Sequence, residues 1–226
     1  MLVLSGNRVV VGVTPSSSGD FLSNPALGFT DKKDYGLRKN PVVQSICIHT
    51  RMGVWPQKFV ANTKDRKWDT VGVKNASNDD RIASWHISID SDGSYVSHLD
   101  VVKHKAYHCG QCNEVSVGIE MFQDADGTVT NETLDSCVTL VNFLCDRLGI
   151  KKQVVNELGI LKTFATGKKT GDAKKDLAYL EGGESGVNFS GVFGHRNATR
   201  NRGKGDPGDE IFKRLEAFGF TRVKVS

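Results

Sequence analysis

The run Val42-Val-Gln-Ser-Ile-Cys-Ile-His-Thr50 constrains the fold of this chain more than any other stretch. It is β-branched and apolar without strict alternation, as expected of a strand covered on both faces. A sheet with layers on both sides follows, and the remaining patterns supply its parts. Trp85–Asp90 and Tyr95–Leu99 alternate with period two around Ser91-Asp-Gly-Ser94, the pattern of an antiparallel hairpin closed by a glycine-containing turn. Val115–Phe122 reads as a further strand. From Asn131 to Gly149 the apolar positions Leu134, Val138, Val141, Leu144, Cys145 and Leu148 recur at helical steps, with Thr130 or Asn131 to cap the start and Gly149 to stop the end. Gly191–His195 reads as a short buried strand, Asp209–Phe218 as a terminal helix stopped by Gly219, and Thr221–Val225 as a last strand. Strands interspersed with helices predict an α/β fold: a mixed central β-sheet flanked by helices.

At 226 residues, 38% hydrophobic and 25% charged, the chain has enough apolar surface for one large core. Residues 1–40 read as an N-terminal arm and 41–226 as the domain, with a Lys-, Gly- and Glu-rich insertion at about 151–190 and a polar loop over 51–83 that carries Trp55 and Trp68. A net charge of +4 is too weak for a dedicated nucleic-acid binder. No apolar run approaches the ~18–20 residues of a membrane span, and the opening residues lack the basic and apolar regions of a secretory signal, so synthesis in the cytosol is expected. Five cysteines, an odd number in a chain of this size, fit reduced thiols with no obligatory disulfide. No feature of the sequence sets an oligomeric state.

Two histidines stand at the ends of separate buried strands, His49 after Ile-Cys-Ile and His195 after Val-Phe-Gly, and Asp206 lies eleven residues beyond the second. That layout suits zinc, which takes three protein ligands in a catalytic site and keeps one position open. The spacing alone fits equally a pair of hydrogen-bonded histidines at strand ends. His104, His108, Cys109 and Cys112 also have ligand-like spacing, a lesser candidate for a structural metal. The turns Asp90-Ser-Asp-Gly93 and Asp124-Ala-Asp-Gly127 do not continue into the spaced carboxylates of a calcium loop.

The local contexts narrow these readings. Ile46-Cys-Ile-His49-Thr, Ser84-Trp-His86-Ile-Ser-Ile-Asp-Ser-Asp-Gly93, Ala106-Tyr-His108-Cys-Gly110, Asn113-Glu-Val-Ser116-Val-Gly-Ile-Glu120, Gly194-His195 and Lys204-Gly-Asp206-Pro-Gly208 follow one another in order. Together they resemble the type 2 N-acetylmuramoyl-L-alanine amidases, over residues 46–208. That family includes phage lysins, cytosolic anhydromuropeptide amidases and the peptidoglycan recognition proteins of animals, all on a mixed sheet flanked by helices. The resemblance implies one zinc ion held by His49, His195 and Asp206, and peptidoglycan or a muropeptide as the substrate. It implies Lys204 as the cation that opposes the developing oxyanion and Glu120 as the general base toward water, with a carboxylate that orients a histidine as the other role open to Glu120. Trp85 departs from the lysin pattern, which often has a catalytic tyrosine there; indole has no acidic hydroxyl, and the glutamate-dependent branch is the better comparison.

His108 and Asn113 correspond to groups that line the peptide groove, and Trp85 is placed beside them as a substrate contact. Arg196, with Arg200 and Arg202, is suited to carboxylates of the stem peptide or lactyl group. The same fold also serves as a non-catalytic peptidoglycan-binding module or as an inhibitor of a partner protein. The intact His49/His195/Asp206 set argues against the first, and no feature excludes the second.

Overall fold

The structure is a computed structural model that describes residues 3–4, 8–9, 35–51, 84–89, 91, 93, 95–97, 99–124, 126–155, 189–198 and 206–223. Its strands are β1 (Val3–Leu4), β2 (Arg8–Val9), β3 (Tyr35–Leu37), β4 (Ser45–Arg51), β5 (Ile87–Ile89), β6 (Tyr95–Ser97), β7 (His104–Ala106), β8 (Ser116–Phe122), β9 (Gln153–Val155), β10 (Gly191–Gly194) and β11 (Thr221–Val223). The helices are α1 (Asn131–Leu148), α2 (His195–Ala198) and α3 (Glu210–Ala217).

Among the described residues, seven strands form one sheet in the order β11-β9-β10-β4-β8-β5-β6. Every pair is parallel except β5 with β6, the hairpin expected from the alternation. The apolar run within 42–50 supplies β4, at the centre of the order and paired with β8 over seven residues. The mixed α/β architecture is thus the one the sequence predicts.

Register separates two chemistries on the two faces of this sheet. Ile46 and Ile48 of β4, Val117, Ile119 and Met121 of β8 and Val192 of β10 share a core with Leu134, Val138, Leu140, Val141 and Leu144 of α1 and with Ile211, Phe212 and Leu215 of α3. Helix α1 is held at both ends as the sequence requires: the Thr130 hydroxyl accepts from the Thr133 N–H, and Gly149 takes a left-handed conformation (φ 68°). On the opposite face, Cys47 pairs with Gly118 and Phe193, and His49 pairs with Glu120. A smaller apolar cluster of Cys47, Cys109, Cys112, Val115, Phe189 and Phe193 lies there. Side chains alternate across a strand, so the residues that pack the helices and those that reach the site interleave along the same few strands.

Two expectations are corrected, the insertion boundary and the absence of a disulfide. Gln153–Val155, placed in an insertion, is strand β9 between β10 and β11, where it adds Val154 to the helix-side core. The end of the arm packs against the domain, as expected of a segment laid over its edge: β3 pairs antiparallel with β7, and Arg38 is buried. Cys109 and Cys112 are joined by a disulfide, whereas Cys47, Cys137 and Cys145 are buried thiols. Trp55 and Trp68 and most of the expected loop and insertion lie outside the described residues.

Candidate functional site

The site gathers at the carboxyl ends of the parallel strands, where open α/β sheets place their ligands. His49 is the fifth residue of β4 and 4% exposed. His195 follows β10 directly and begins α2, where it is 6% exposed. Gly194, the residue before it, has no room for a side chain: an added Cβ would stand 2.5 Å from Cδ of Pro207. That close approach lays the Asp206-Pro207 segment against the end of β10. The Arg196 N–H donates to the Asp206 carbonyl (2.9 Å), and the Thr50 N–H donates to Asp206 Oδ1 (3.0 Å). Asp206 is therefore held at its main-chain carbonyl by Arg196 and at its carboxylate by Thr50, two segments far apart in sequence.

One donor atom from each of His49, His195 and Asp206 lies within 4.8 Å of the other two. His49 Nδ1 is 3.9 Å from Asp206 Oδ1, and His195 Nδ1 is 3.3 Å from Asp206 Oδ2. The two imidazole rings meet edge-on, 4.6 Å between centroids. Glu120 stands beside His49 as its cross-strand neighbour on β8 and is half-buried. The sequence thus identified residues that the fold does bring together.

His108 lies behind His49. Its Nδ1 is 3.0 Å from His49 Nε2, its Nε2 is 3.2 Å from the Ser116 hydroxyl, and its ring lies over Gly118, where an added Cβ would come within 2.7 Å of Cγ. Burial above all, then His195 and Arg38, pushes its pKa down to about 3, so it is neutral. His86 is wholly buried. Its Nδ1 accepts from the Gly118 N–H (2.9 Å), which puts the ring proton on Nε2, facing the His104 carbonyl at 3.1 Å. Burial first, and the Arg38 guanidinium 3.2 Å away second, hold its pKa well below the ordinary histidine value. His86 is a neutral structural histidine that binds β5 to β8 and β7.

Arg38 is a residue that sequence reasoning missed. Its guanidinium donates to the carbonyls of Val101, Asn113, Glu114 and Ser116, gathering the turn before β8 around one buried cation. Burial lowers its pKa to about 10, with Glu114 and Asp100 opposing the shift. The only sequence signal was an arginine close to the start of the domain.

Two residues expected to touch substrate, Trp85 and Arg196, are buried. Trp85 is 6% exposed and its indole N–H donates to the Ser88 hydroxyl (2.6 Å). Arg196 is buried, its guanidinium pairing with Asp209 and lying 5.0 Å from the centroid of the Phe212 ring. Both side chains are turned inward, and Arg196 ties α2 to the segment that carries Asp206. Asn113 uses its side-chain carbonyl within the fold, accepting from the N–H groups of His108 (2.9 Å) and Cys109 (2.8 Å). Lys204, Arg200 and Arg202 lie outside the described residues. Cys47, His108 and Cys109 also offer donor atoms within 4.8 Å of one another, but the Cys109 sulfur is bonded to Cys112 and is not a thiolate.

The profile described as N-acetylmuramoyl-L-alanine amidase matches residues 38–209, well over half of the chain. The chain belongs to that amidase family. Every described site residue of this amidase-family chain falls within the matched span. No curated protein sequence matches it. Among solved structures, the amidase LysC from Clostridium intestinale URNW is similar at 16% identity and a TM-score of 0.44, over 81% of this chain and 89% of that one. A selenomethionine derivative of AmpD gives 18%, 0.44, 80% and 89%, and the Drosophila peptidoglycan recognition protein SA gives 11%, 0.46, 84% and 85%. These likenesses are low, and the family rests on the profile match.

Proposed function

We propose that this chain is a zinc-dependent hydrolase that cuts the amide between the lactyl group of N-acetylmuramic acid and L-alanine, in peptidoglycan or soluble muropeptides. The observation that carries the reading is the convergence of His49, His195 and Asp206 beside Glu120, in a chain of the amidase family. The donor set fits the metal: two imidazoles and a carboxylate are what zinc takes in hydrolytic sites, and here they are largely enclosed with the carboxylate aimed by the Thr50 N–H.

Bound by these three residues, zinc supplies a Lewis acid for the carbonyl and a lowered pKa for water. Glu120 takes the proton from the attacking water and delivers it to the leaving amine, a transfer that needs only a modest base. Lys204 opposes the negative charge that develops on the carbonyl oxygen. Thr50 and Arg196, through their backbone N–H groups, keep Asp206 in place.

The test is zinc content per chain together with release of free stem peptide, followed by mass spectrometry, from peptidoglycan and from a soluble muropeptide, with and without chelator. One zinc and chelator-sensitive release are expected. Asp206→Ala loses zinc and activity together, whereas Glu120→Gln keeps zinc and loses turnover; equal turnover in Glu120→Gln sinks the base assignment. Zinc and muropeptide binding without release from either substrate reassigns the chain as a binding module. Preference between the two substrates separates action on the wall from action on cytosolic fragments.

A further inference from the structure

We propose that Ser116 and His108 are positioning residues that set the tautomer of His49, through a single line of hydrogen bonds that starts at the Cys112 carbonyl. The inference rests on the zinc reading above for its consequence, but the line itself is read from donors and acceptors alone.

The Cys112 carbonyl can only accept, and the Ser116 hydroxyl donates to it at 2.6 Å. That uses the one proton Ser116 has, so toward His108 Nε2, 3.2 Å away, the hydroxyl must accept. Among the described residues, the other group near this nitrogen is the Cys109 sulfur at 3.9 Å, which is in a disulfide and has no proton to give. His108 therefore bears its proton on Nε2 and a lone pair on Nδ1. That lone pair faces His49 Nε2 at 3.0 Å, which must then be the donor. The line thus fixes a proton on His49 Nε2 and turns Nδ1 to the side where the Asp206 carboxylate lies. Nδ1 is then the nitrogen through which His49 would ligate.

Two further features hold the line in place. The bare face of Gly118 is what lets the His108 ring lie where it does. Asn113 accepts from the N–H groups of His108 and Cys109, which fixes the backbone from which the ring projects. Partners that fix the tautomer of a ligating histidine are general in metal sites, and their removal typically weakens metal binding about 10–100-fold.

The test uses the full chain with 15N-labelled histidine, stripped of metal, and reads ring protonation from two-bond nitrogen–proton correlation spectra. His49 and His108 are expected to be protonated on Nε2 in the unsubstituted protein. Ser116→Ala removes the acceptor, mixes the tautomers of both rings, and weakens zinc binding about 10-fold in competition with a chromophoric chelator. His108→Leu, which fills similar space, weakens it roughly 10–100-fold, and His108→Asn, whose amide oxygen falls near the position of Nδ1, recovers most of the loss. Native tautomers with the proton on His49 Nδ1 overturn the proposal, as do unchanged tautomers and zinc affinity in Ser116→Ala. Native protein that shows the expected tautomers but binds no zinc overturns the zinc reading and leaves the line of hydrogen bonds standing.

Discussion

His86 offers a stability test whose magnitude follows from its surroundings. The ring is wholly buried, receives the Gly118 N–H on Nδ1, and has the Arg38 guanidinium beside Nε2, so the folded protein refuses a second ring proton. The unfolded chain accepts that proton below about pH 6.5. Because the folded-state pKa is the lowered one, the contribution is complete above pH 6.5 and is lost as pH falls below it, at about 1.4 kcal/mol per pH unit until the folded-state value is reached. Between pH 8 and pH 5 this amounts to about 2 kcal/mol. His86→Asn keeps an acceptor for the Gly118 N–H and cannot titrate. Urea unfolding of both proteins, followed by far-ultraviolet circular dichroism, should show the variant less stable at pH 8 and the gap closing by about 2 kcal/mol at pH 5. Taking the difference between the proteins cancels most of the titration of the carboxylates and other histidines. A gap that stays constant across this range would refute the assignment of His86 as a neutral buried ring.

Further outcomes follow from contacts already described. Gly118→Ala places a methyl group within 2.7 Å of the His108 ring; a stability loss of about 1–3 kcal/mol and weaker zinc binding are expected, and isothermal titration that finds native affinity would show that the ring has room to move. Arg38→Met leaves four backbone carbonyls without their common donor and should cost about 3 kcal/mol or more in urea unfolding. Asp209→Ala leaves the buried Arg196 guanidinium without its carboxylate; a loss of roughly 1–2 kcal/mol is expected, with reduced zinc retention because Arg196 also anchors the Asp206 backbone.

Much of the fold was legible because its signals are local. The 3.6-residue rhythm of α1, its Thr130 cap and Gly149 stop, and the unbroken apolar run of β4 each declare themselves within one segment. The gathering of His49, His195 and Asp206 was legible too, since each stands in a recognisable context at a strand end or beside a proline. What escaped depends on partners far away in sequence. Three residues such as Gln153–Val155 carry too little pattern to read as a strand, and only the neighbours β10 and β11 make them one. Arg38 looks like any surface arginine until Asn113, Glu114 and Ser116 turn their carbonyls toward it. Arg196 stands among basic residues in the sequence, and only the fold shows that Asp209, thirteen residues on, pairs with its buried guanidinium. For Cys109 and Cys112, spacing alone fits a metal, a disulfide or two thiols, and the turn that brings the sulfurs together decides among them.

The interleaving of core and site along β4 and β8 has a consequence for how a gene encoding this chain can change. Single substitutions act on one face at a time, so the core beneath α1 can drift among Val, Ile, Leu and Met while His49 and Glu120 stay in place. The loss or gain of one codon within 45–51 or 116–122 is a different event. It would turn Ile46 and Ile48, or Val117 and Ile119, toward the imidazoles and bury His49 or Glu120 beneath the helix. These two strands are thus open to spelling changes and closed to changes of length, and variation in length across descendants of this gene is expected to fall outside them.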